Sequence, residues 1–379
     1  MLRATMNDVL PFSLSALRAV SDAAGFAAVG VAPVMPLGGG WFAPHAERFE
    51  AWLANGQNAD MTWMAERAEA RLAPAHLLPG AATALCFWLP HRTPKPDTTP
   101  DGPNRPPTGR IAAYAWGRDY HNVARKSLRK VLRWILAACP EVRTYQSIDT
   151  GAVLERAYAE RAGLGWIGKS TMLISTTSGT FGSLAVIFLD RRFETEEPVE
   201  PAHPFRCGTC TACIDECPTG AIVSDGVVDA RRCISYWTIE HRGLIPVEKR
   251  ASIGDWLFGC DICQDVCPWN RDVPRASAER WKPTRPDLSL EHILTTEPDV
   301  LEQSLEGSPL LRTRAPGLRR NALIVAANTK AVTLLPLVER LAVNDPDPVV
   351  QATAVWAACV LKDADERVRA EARAEPKAR

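Results

Sequence analysis

The chain has 379 residues, of which 46% are hydrophobic and 23% charged, and its formal net charge is zero. This length exceeds what one hydrophobic core usually supports, so we expect two or three domains with the composition of an ordinary soluble protein. A zero net charge excludes attraction of polyanions through a global field, and such a partner would have to bind local basic patches.

The amino-terminal stretch predicts neither export nor membrane anchoring. MLRATMNDVLPFSLSALRAV has no apolar segment followed by a small-residue cleavage site and no twin-arginine pair, and no apolar run in the chain is long enough to span a bilayer. We therefore expect a cytoplasmic monomer without a membrane partner. In that reducing compartment, clustered cysteines indicate metal or redox chemistry rather than structural disulfides.

The first two hundred residues predict an α/β domain. LSALRAVSDAAGF and GAVLERAYAERAG have the spacing of helices, whereas FAAVGVAPV, ATALCFWLP and SLAVIFLD are typical of strands. The intervening segment PHRTPKPDTTPDGPNRPPTG is too rich in proline for regular structure and predicts a mobile surface loop.

A basic helix is predicted in RKSLRKVLRWILAAC. Arg125, Arg129 and Arg133 share one face of this helix, and Lys126 and Lys130 lie beside them. A solvated helix face is the favoured interpretation of these charges.

The carboxy-terminal hundred residues predict helices only. RRNALIVAAN and VQATAVWAAC align at an offset of about thirty residues, and the turn NDPDPVV separates the second from the preceding helix LLPLVERLAV. This spacing indicates a short stack of HEAT-type helical pairs.

Eight of the eleven cysteines lie between Cys207 and Cys267. The first run, C-x2-C-x2-C-x3-C-P, matches the ferredoxin pattern for a [4Fe–4S] cluster, in which the fourth cysteine ligates the other cluster of a pair. The second run supplies three cysteines, and Cys233 is the nearby spare. Two [4Fe–4S] clusters are therefore predicted, one held by Cys207, Cys210, Cys213 and Cys267, the other by Cys217, Cys233, Cys260 and Cys263. A zinc site does not explain eight cysteines in this order.

The stretch GLGWIGKS, from Gly163 to Ser170, satisfies the Walker A expression. A phosphate loop follows a strand and opens a helix, but here a predicted helix comes before and the extended MLIST comes after. The pattern therefore favours a glycine-rich loop against some other flat ligand over nucleotide hydrolysis. No G-x-G-x-x-G follows a strand, so a dinucleotide site is unsupported.

Asp149, in SIDTGAVLERA, directly precedes a predicted helix. Considered alone, it is best interpreted as a helix cap, although a carboxyl group beside a reduced cofactor can also donate a proton if burial raises its pKa. Four histidines, His45, His121, His203 and His241, are isolated in the sequence and predict no metal site.

Together the motifs resemble one family, the tRNA epoxyqueuosine reductases, which are cobalamin-dependent iron–sulfur enzymes of queuosine biosynthesis. The resemblance covers nearly the whole chain. It depends on RLAPAHLLPG, YAWGRDYH, DTGAVLERAYAERAGLGWIGK, the cysteine pattern with CISYWT and GCDICQDVCPWN, and RRNAL with VWA.

The resemblance implies three domains: a cobalamin-binding α/β domain at 1–200, a ferredoxin-like module with two clusters at 201–280, and a HEAT-like domain at 281–379 that grips tRNA. It implies Asp149 as the proton donor when epoxyqueuosine at the wobble position is reduced to queuosine. The implied cobalamin contacts are Arg71, Ala112, Asp149, Leu173, Ser235, Cys260 and Asp261. At two of these positions this chain departs from the family pattern: many relatives have arginine where this chain has Ala113, and some have a more reactive side chain than Ala112.

The implied chemistry is coherent. Low-potential clusters, fed by an unidentified electron donor, would pass single electrons to cob(II)alamin and form the nucleophilic cob(I) state. The departing epoxide oxygen needs a proton. Whether cobalt attacks carbon or only transfers electrons stays open at this point.

RNA binding has separate support in local charges and aromatic residues. Tyr236, Trp237 and Trp269 are candidates to stack on a splayed base. The candidate phosphate contacts are Arg231, Arg232, His241, Arg242, Lys249, Arg250, Arg312, Arg314, Arg319 and Arg320.

Two other functions compete with this one. A corrinoid reductive dehalogenase also pairs cobalamin with two clusters, but the absence of an export signal and the helical tail argue against it. A non-catalytic electron carrier needs only the cysteine module, which leaves the large amino-terminal domain unexplained.

Overall fold

The structure is a computed structural model that describes residues 9–35, 40–94, 106–194 and 203–374. The chain forms two compact units that alternate along the sequence. The first comprises Met1–Pro94, Asp119–Arg231 and Ile262–Trp281, and the second comprises Lys95–Arg118, Arg232–Asp261 and Lys282–Arg379. The consecutive domain boundaries at residues 200 and 280 stay predictions. Most of the predicted proline-rich loop, 95–105, lies outside the described residues.

The helices, numbered in chain order, are α1 Leu14–Ala24, α2 Ala43–Ala54, α3 Thr62–Glu66, α4 Ala68–Leu72, α5 Tyr120–Ala138, α6 Glu155–Arg161, α7 Ala212–Asp215, α8 Val247–Arg250, α9 Ile262–Asp265, α10 Ala278–Trp281, α11 Leu290–Thr295, α12 Pro298–Ser304, α13 Arg314–Asn328, α14 Leu335–Asn344 and α15 Pro348–Ala374. The strands are β1 Ala28–Pro33, β2 Thr83–Pro90, β3 Thr108–Ile111, β4 Thr144–Ser147, β5 Trp166–Ile167, β6 Leu173–Ile174, β7 Gly182–Leu189, β8 Ile222–Ser224, β9 Val227–Val228, β10 Trp256–Phe258 and β11 Asp287–Ser289. Among the described residues, no helix has the length and apolar character needed to cross a bilayer.

The first unit is built on a sheet in the order β1-β2-β7-β4, in which each neighbouring pair is antiparallel. The central strands are buried on both faces, which explains their long apolar sequences. Alternate side chains enter opposite cores: Leu85 and Phe87 pack with α1 and α5, whereas Cys86 and Trp88 pack with Tyr158 of α6. Helices on both faces of this sheet confirm the mixture of helices and strands predicted for this part of the chain, although the sheet is antiparallel.

The cysteine-bearing part of the first unit contains two short helices, and two hairpins lie near it in the sequence. The helices α7 and α9 each have four residues, and the pairs β5–β6 and β8–β9 are antiparallel hairpins. Two long-range bonds attach these segments to the α/β layer: the Trp52 indole N–H donates to the Val228 carbonyl at 2.8 Å, and the Ala230 N–H donates to the Gln57 carbonyl at 2.9 Å.

The second unit combines a small sheet with packed helices. The sheet has the order β10-β3-β11, with β10 parallel and β11 antiparallel to β3. Helix α13 is its centre: every residue from Gly317 to Ala327 is buried, and α11, α12, α14 and α15 contribute to the same core. Strand β11 shows that the prediction of helices only was wrong at this position, while the HEAT-type repeat stays a prediction.

Candidate active site and cluster ligands

Asp149 lies in an irregular segment between β4 and α6. Helix α6 begins at Glu155 with Leu154 at its N-cap, several residues later than GAVLERAYAERAG predicted. The interpretation of Asp149 as the cap of this helix is therefore wrong. Its backbone has φ 59°, a left-handed conformation that aspartate tolerates better than most residues and that often marks functional positions. The side chain is 66% exposed, so a substrate can reach the carboxylate.

Two residues at the start of α5 contact this carboxylate. The Tyr120 hydroxyl donates a hydrogen bond to Asp149 Oδ2 at 2.5 Å, and His121 Nε2 lies 3.7 Å from the same oxygen. The other imidazole nitrogen, Nδ1, lies 2.7 Å from Asp119 Oδ1. Because Asp119 also accepts the His121 backbone N–H as N-cap of α5, the helix start holds the imidazole between two carboxylates. The sequence suggested that His121 is isolated, and the structure shows that it is not.

These contacts determine the protonation of the group. The protein groups around the carboxylate displace part of its water and push the pKa of Asp149 upward, although its side chain is largely exposed. The close approach of His121, the hydrogen bond from Tyr120 and the charge of Arg156 outweigh this effect, so the pKa lies below its usual value. Burial alone would lower the pKa of His121, whereas Asp119 and Asp149 raise it to about 9. At neutral pH the pair is an imidazolium beside a carboxylate.

Three predicted cobalamin contacts of the first unit surround the first turn of α6. Arg71 is buried at the end of α4; burial lowers the pKa of its guanidinium, and the nearby Glu155 opposes this shift. Burial raises the pKa of Glu155 to about 8, with a further contribution from the charge of Asp149. Leu173 is buried in β6, next to the turn whose Thr171 carbonyl accepts a bond from Arg156 Nη1 at 2.5 Å. With Asp149, these residues lie around one helix end.

The remaining predicted contacts belong to the second unit, at the ends of two parallel strands. Ala112 follows β3, and Cys260 and Asp261 follow β10, with which β3 pairs in parallel. The Ala113 N–H donates to the buried Asp261 carboxylate at 2.6 Å. Ser235 directly precedes a π-helical segment whose Thr238 hydroxyl accepts the Gly259 N–H at 3.0 Å. The structure thus brings these four predicted residues into one bonded region of the second unit.

The four thiols assigned to the first cluster all lie in the first unit and within electrostatic reach of one another. Burial raises the pKa of Cys213, and neighbouring Cys207, Cys267 and Cys210 raise it further. Burial likewise raises the pKa of Cys267, with contributions from Cys207 and Cys210. This donor set fits a thiolate-ligated cluster. Among the described residues, no three histidine, cysteine or acidic side chains converge on the position of a single metal ion.

The ligands assigned to the second cluster divide between the units. Cys217 and Cys263 belong to the first unit, and Cys233 and Cys260 belong to the second. Burial would raise the pKa of Cys217, but hydrogen bonds from Thr219 and from backbone N–H groups lower it overall, and the Ala221 N–H donates to its sulfur at 3.3 Å. Such bonds stabilise negative charge on a cluster sulfur and tune its potential.

The glycine-rich stretch GLGWIGKS contains β5, the first strand of the hairpin β5–β6, and does not form a phosphate loop. It follows α6 and leads into a strand, which confirms the predicted inversion of the Walker A order. A Cβ on Gly168 would lie 3.4 Å from Cys207 Sγ, and one on Gly165 would lie 2.1 Å from the Ile174 carbonyl oxygen. Lys169 pairs with Asp225 of the β8–β9 turn at 3.4 Å. The hairpin therefore packs against a predicted cluster ligand.

Several residues predicted to contact RNA have structural roles instead. Arg319 and Arg320 are buried: the first pairs with Asp345 at 2.5 Å, and the second donates to backbone carbonyls. Arg250 and Tyr236 are also buried. The prediction of phosphate or base contacts is thus wrong for these four residues as the chain is folded. Three exposed cations, Arg231, Arg312 and Arg314, pair with Asp229, Glu240 and Glu302.

Sequence reasoning missed Tyr120, Asp119 and the role of His121. They lie in the motif YAWGRDYH, 28 residues before Asp149, and no local spacing connects the two segments. The available signal was Asp119, an aspartate at a helix N-cap two residues before His121, which indicates a carboxylate within reach of that imidazole.

A fold of this kind, with clustered thiols and an accessible carboxylate–imidazolium pair, defines an iron–sulfur protein of the oxidoreductase class. A family described as "4Fe-4S double cluster binding domain" matches residues 206–270, which include all eight clustered cysteines, and one described as "Epoxyqueuosine reductase QueG, DUF1730" matches residues 71–150. An epoxyqueuosine reductase of Gloeobacter violaceus is 38% identical over 318 residues, covering 81% of this chain and 93% of the relative. The chain belongs to the epoxyqueuosine reductase family.

Solved structures of that family share the fold. A crystal structure of epoxyqueuosine reductase with a tRNA-Tyr epoxyqueuosine-modified stem loop has a TM-score of 0.82 and 28% identity, covering 96% of this chain and 94% of that one. The Bacillus subtilis enzyme, solved with its aspartate-bearing catalytic loop swung out of the active site, has a TM-score of 0.81 and 28% identity, covering 96% and 95%.

Proposed function

We propose that this chain reduces epoxyqueuosine to queuosine in tRNA. The observation that carries the proposal is family membership across most of the chain, at 38% identity over 81% of its length. The double-cluster domain at 206–270 supports an electron-transfer route to the substrate. Removal of the epoxide oxygen as water consumes two electrons and two protons and leaves an alkene, so the enzyme needs both an electron path and a proton source.

The electron path consists of two [4Fe–4S] clusters fed by a separate electron donor. The first cluster is held by Cys207, Cys210, Cys213 and Cys267, which is supported by the mutual influence of these thiols on the pKa values of Cys213 and Cys267. The second is held by Cys217, Cys233, Cys260 and Cys263. Its assignment depends on the crossover rule of two-cluster ferredoxins.

Cobalamin is the proposed redox cofactor, and when bound it supplies a low-valent cobalt centre that can reduce a strained epoxide. Arg71, Ala112, Asp149, Leu173, Ser235, Cys260 and Asp261 are its proposed contacts. The residues after β3 and β10 lie at the same end of a parallel strand pair, and the Ala113 N–H donates to the Asp261 carboxylate, which supports their assignment to one site.

The proposed proton source is Asp149 together with His121. A carboxylate with a lowered pKa is ionised at neutral pH and has no proton of its own to give. His121, with a pKa of about 9, holds a proton at Nε2, 3.7 Å from Asp149 Oδ2. We therefore assign the delivery of the proton to Asp149, His121 as its reservoir, and Tyr120 as the residue that orients the carboxylate.

The proposed tRNA partner is consistent with the stem-loop complex of the related reductase. The test is anaerobic reconstitution of the clusters, followed by addition of cobalamin, a chemical reductant and epoxyqueuosine-tRNA. Mass analysis of the wobble nucleoside should show loss of one oxygen, only when cobalamin is added. Asp149→Asn should keep the iron content and the cobalt spectrum and lose turnover. A wild-type enzyme that leaves the epoxide intact under these conditions would refute the proposal.

A further inference from the structure

Five basic side chains cover the exposed face of α5. All five are exposed, and the opposite face of the helix is buried. We call them the α5 basic face: Arg125, Lys126, Arg129, Lys130 and Arg133. The helix contains no aspartate or glutamate. Within the part of the chain that the structure describes, their hydrogen bonds go to the Asn122 side chain and the Arg129 carbonyl, and none pairs with an acidic side chain.

This arrangement is unfavourable for the helix alone. Cations four positions apart repel each other and destabilise a helix. The helix has three such pairs: Arg125 with Arg129, Arg129 with Arg133, and Lys126 with Lys130. An ordinary solvated face mixes both signs, and the whole chain has 44 basic and 44 acidic residues. Arg125 lies close enough to the N-cap residue Asp119 to help lower the pKa of that carboxyl, and the other four cations have no acidic residue within ion-pairing distance among the described residues. Such a row of cations, with successive arginines roughly 6 Å apart along the axis, suits a ligand with regularly spaced anionic groups.

The α5 basic face also starts at the candidate active site. Tyr120 and His121, which contact Asp149, form the first turn of α5, and Arg125 follows one turn later. Arg133 lies roughly 20 Å along the helix from Tyr120. A polyanion bound along this face therefore has one end beside the carboxylate.

We infer that the α5 basic face binds the phosphate backbone of the RNA substrate next to the nucleoside that is reduced. The inference depends on the proposed function, because it takes the RNA to be the substrate tRNA. Neutralising phosphates releases counterions, so each contact steepens the dependence of affinity on salt, by about 0.7 to 0.9 in the log–log slope.

The test compares two double variants of equal charge in the cobalamin- and cluster-loaded protein. Arg125→Gln/Arg129→Gln removes two charges from α5, and Arg161→Gln/Arg192→Gln removes two exposed charges elsewhere in the same unit. The probe is an unmodified tRNA anticodon stem loop, titrated over a series of salt concentrations. We expect the α5 variant to bind more weakly and to lose about 1.4 to 1.8 from the slope, and the second variant to retain the wild-type slope.

Two further readouts exclude trivial explanations. Thermal unfolding of the α5 variant should occur at the wild-type temperature or above it, because like-charge repulsion is removed. Arg125→Lys/Arg129→Lys should restore the slope, since the charge and not the guanidinium shape binds phosphate.

The outcomes separate this inference from the proposed function. An active wild-type enzyme whose α5 variant keeps the wild-type slope, or whose two variants lose it equally, would overturn the inference alone. The inference would also be overturned if the α5 variant binds RNA normally but accepts electrons more slowly from an acidic protein donor. A wild type that binds RNA through α5 but removes no oxygen would overturn the proposed function and keep the RNA-binding face.

Discussion

At the scale of single residues, the protonation of Asp149 depends on the Tyr120 hydroxyl. The hydrogen bond from Tyr120 stabilises the ionised carboxylate, so Tyr120→Phe should raise the pKa of Asp149. We expect a limb of the pH–rate profile that reports Asp149 to move to higher pH. Tyr145→Phe, a tyrosine of β4 in the same unit, is the matched control and should leave the profile unchanged. An unshifted limb in Tyr120→Phe would show that the bond does not act on the reacting carboxylate.

His121 makes a second prediction, about stability. Its pKa is raised from 6.5 to about 9 in the folded chain, so its ionised form stabilises the fold. This contribution is fully present below about pH 6.5 and is lost as the pH rises towards 9. The groups that face it are Asp119, Asp149 and Tyr120, and both carboxylates are ionised throughout this range. Thermal unfolding between pH 6 and pH 9.5 should therefore show a loss on the order of 3 kcal/mol in the wild type that His121→Gln lacks. Parallel curves for the two proteins would contradict the assignment.

The same residues show what a sequence can reveal about a site. Asp149 could be singled out only by family resemblance, since its local pattern favoured a helix cap. His121 could not be recognised, because its partner lies 28 residues away and meets it through the packing of α5 and the β4–α6 segment. The cysteines are different: their ligand pattern is local in sequence, so spacing alone predicts the clusters.

At the scale of elements, helix α13 leads to a prediction about Arg320. Its guanidinium is fully buried and donates to the carbonyls of Trp237, His241 and Gly243, each at 2.8 Å. Arg320→Lys keeps the charge, but one ammonium group cannot reach three carbonyls, and we expect a loss of stability on the order of 3 kcal/mol. Arg314→Lys, on an exposed residue of the same helix, should cost little. Thermal unfolding measures both. If the two variants were equally stable, the hydrogen bonds from Arg320 to the 237–243 segment would not contribute to stability.

The elements that could be predicted are those whose own side chains determine them. Strands β2 and β7 are continuous apolar runs, and α5 has a clear 3.6-residue period of apolar residues, so the sequence alone predicts both the strands and the helix. The start of α6 was misjudged because it depends on side-chain and packing contacts of the segment before it. The Ser147 hydroxyl donates to Glu155 at 2.6 Å, and Gly151 packs so tightly on Ser147 that a Cβ would lie 2.1 Å from its oxygen. Strand β11 exists because β3 pairs with it, from a segment nearly 180 residues earlier.

At the scale of the whole molecule, the chain passes between its two units several times, and the cysteines follow this path. Each unit is assembled from three separate segments of the chain. A change in composition marks only a boundary along the sequence, so composition alone does not predict which distant segments fold together.

The ligand sets can be tested by counting iron in single and double variants. Each [4Fe–4S] cluster holds half of the iron, so Cys207→Ser and Cys267→Ser should each lower the iron content by about half. If both cysteines serve the same cluster, the double variant Cys207→Ser/Cys267→Ser should lose no more than either single variant, whereas Cys267→Ser/Cys260→Ser should lose nearly all of it. Cys359→Ser, on the exposed side of α15, should retain full iron and is the matched control. If the Cys207→Ser/Cys267→Ser protein lost both clusters while each single variant lost one, the crossover of Cys267 to the first cluster would be refuted, and Cys267 would belong with Cys260 and Cys263.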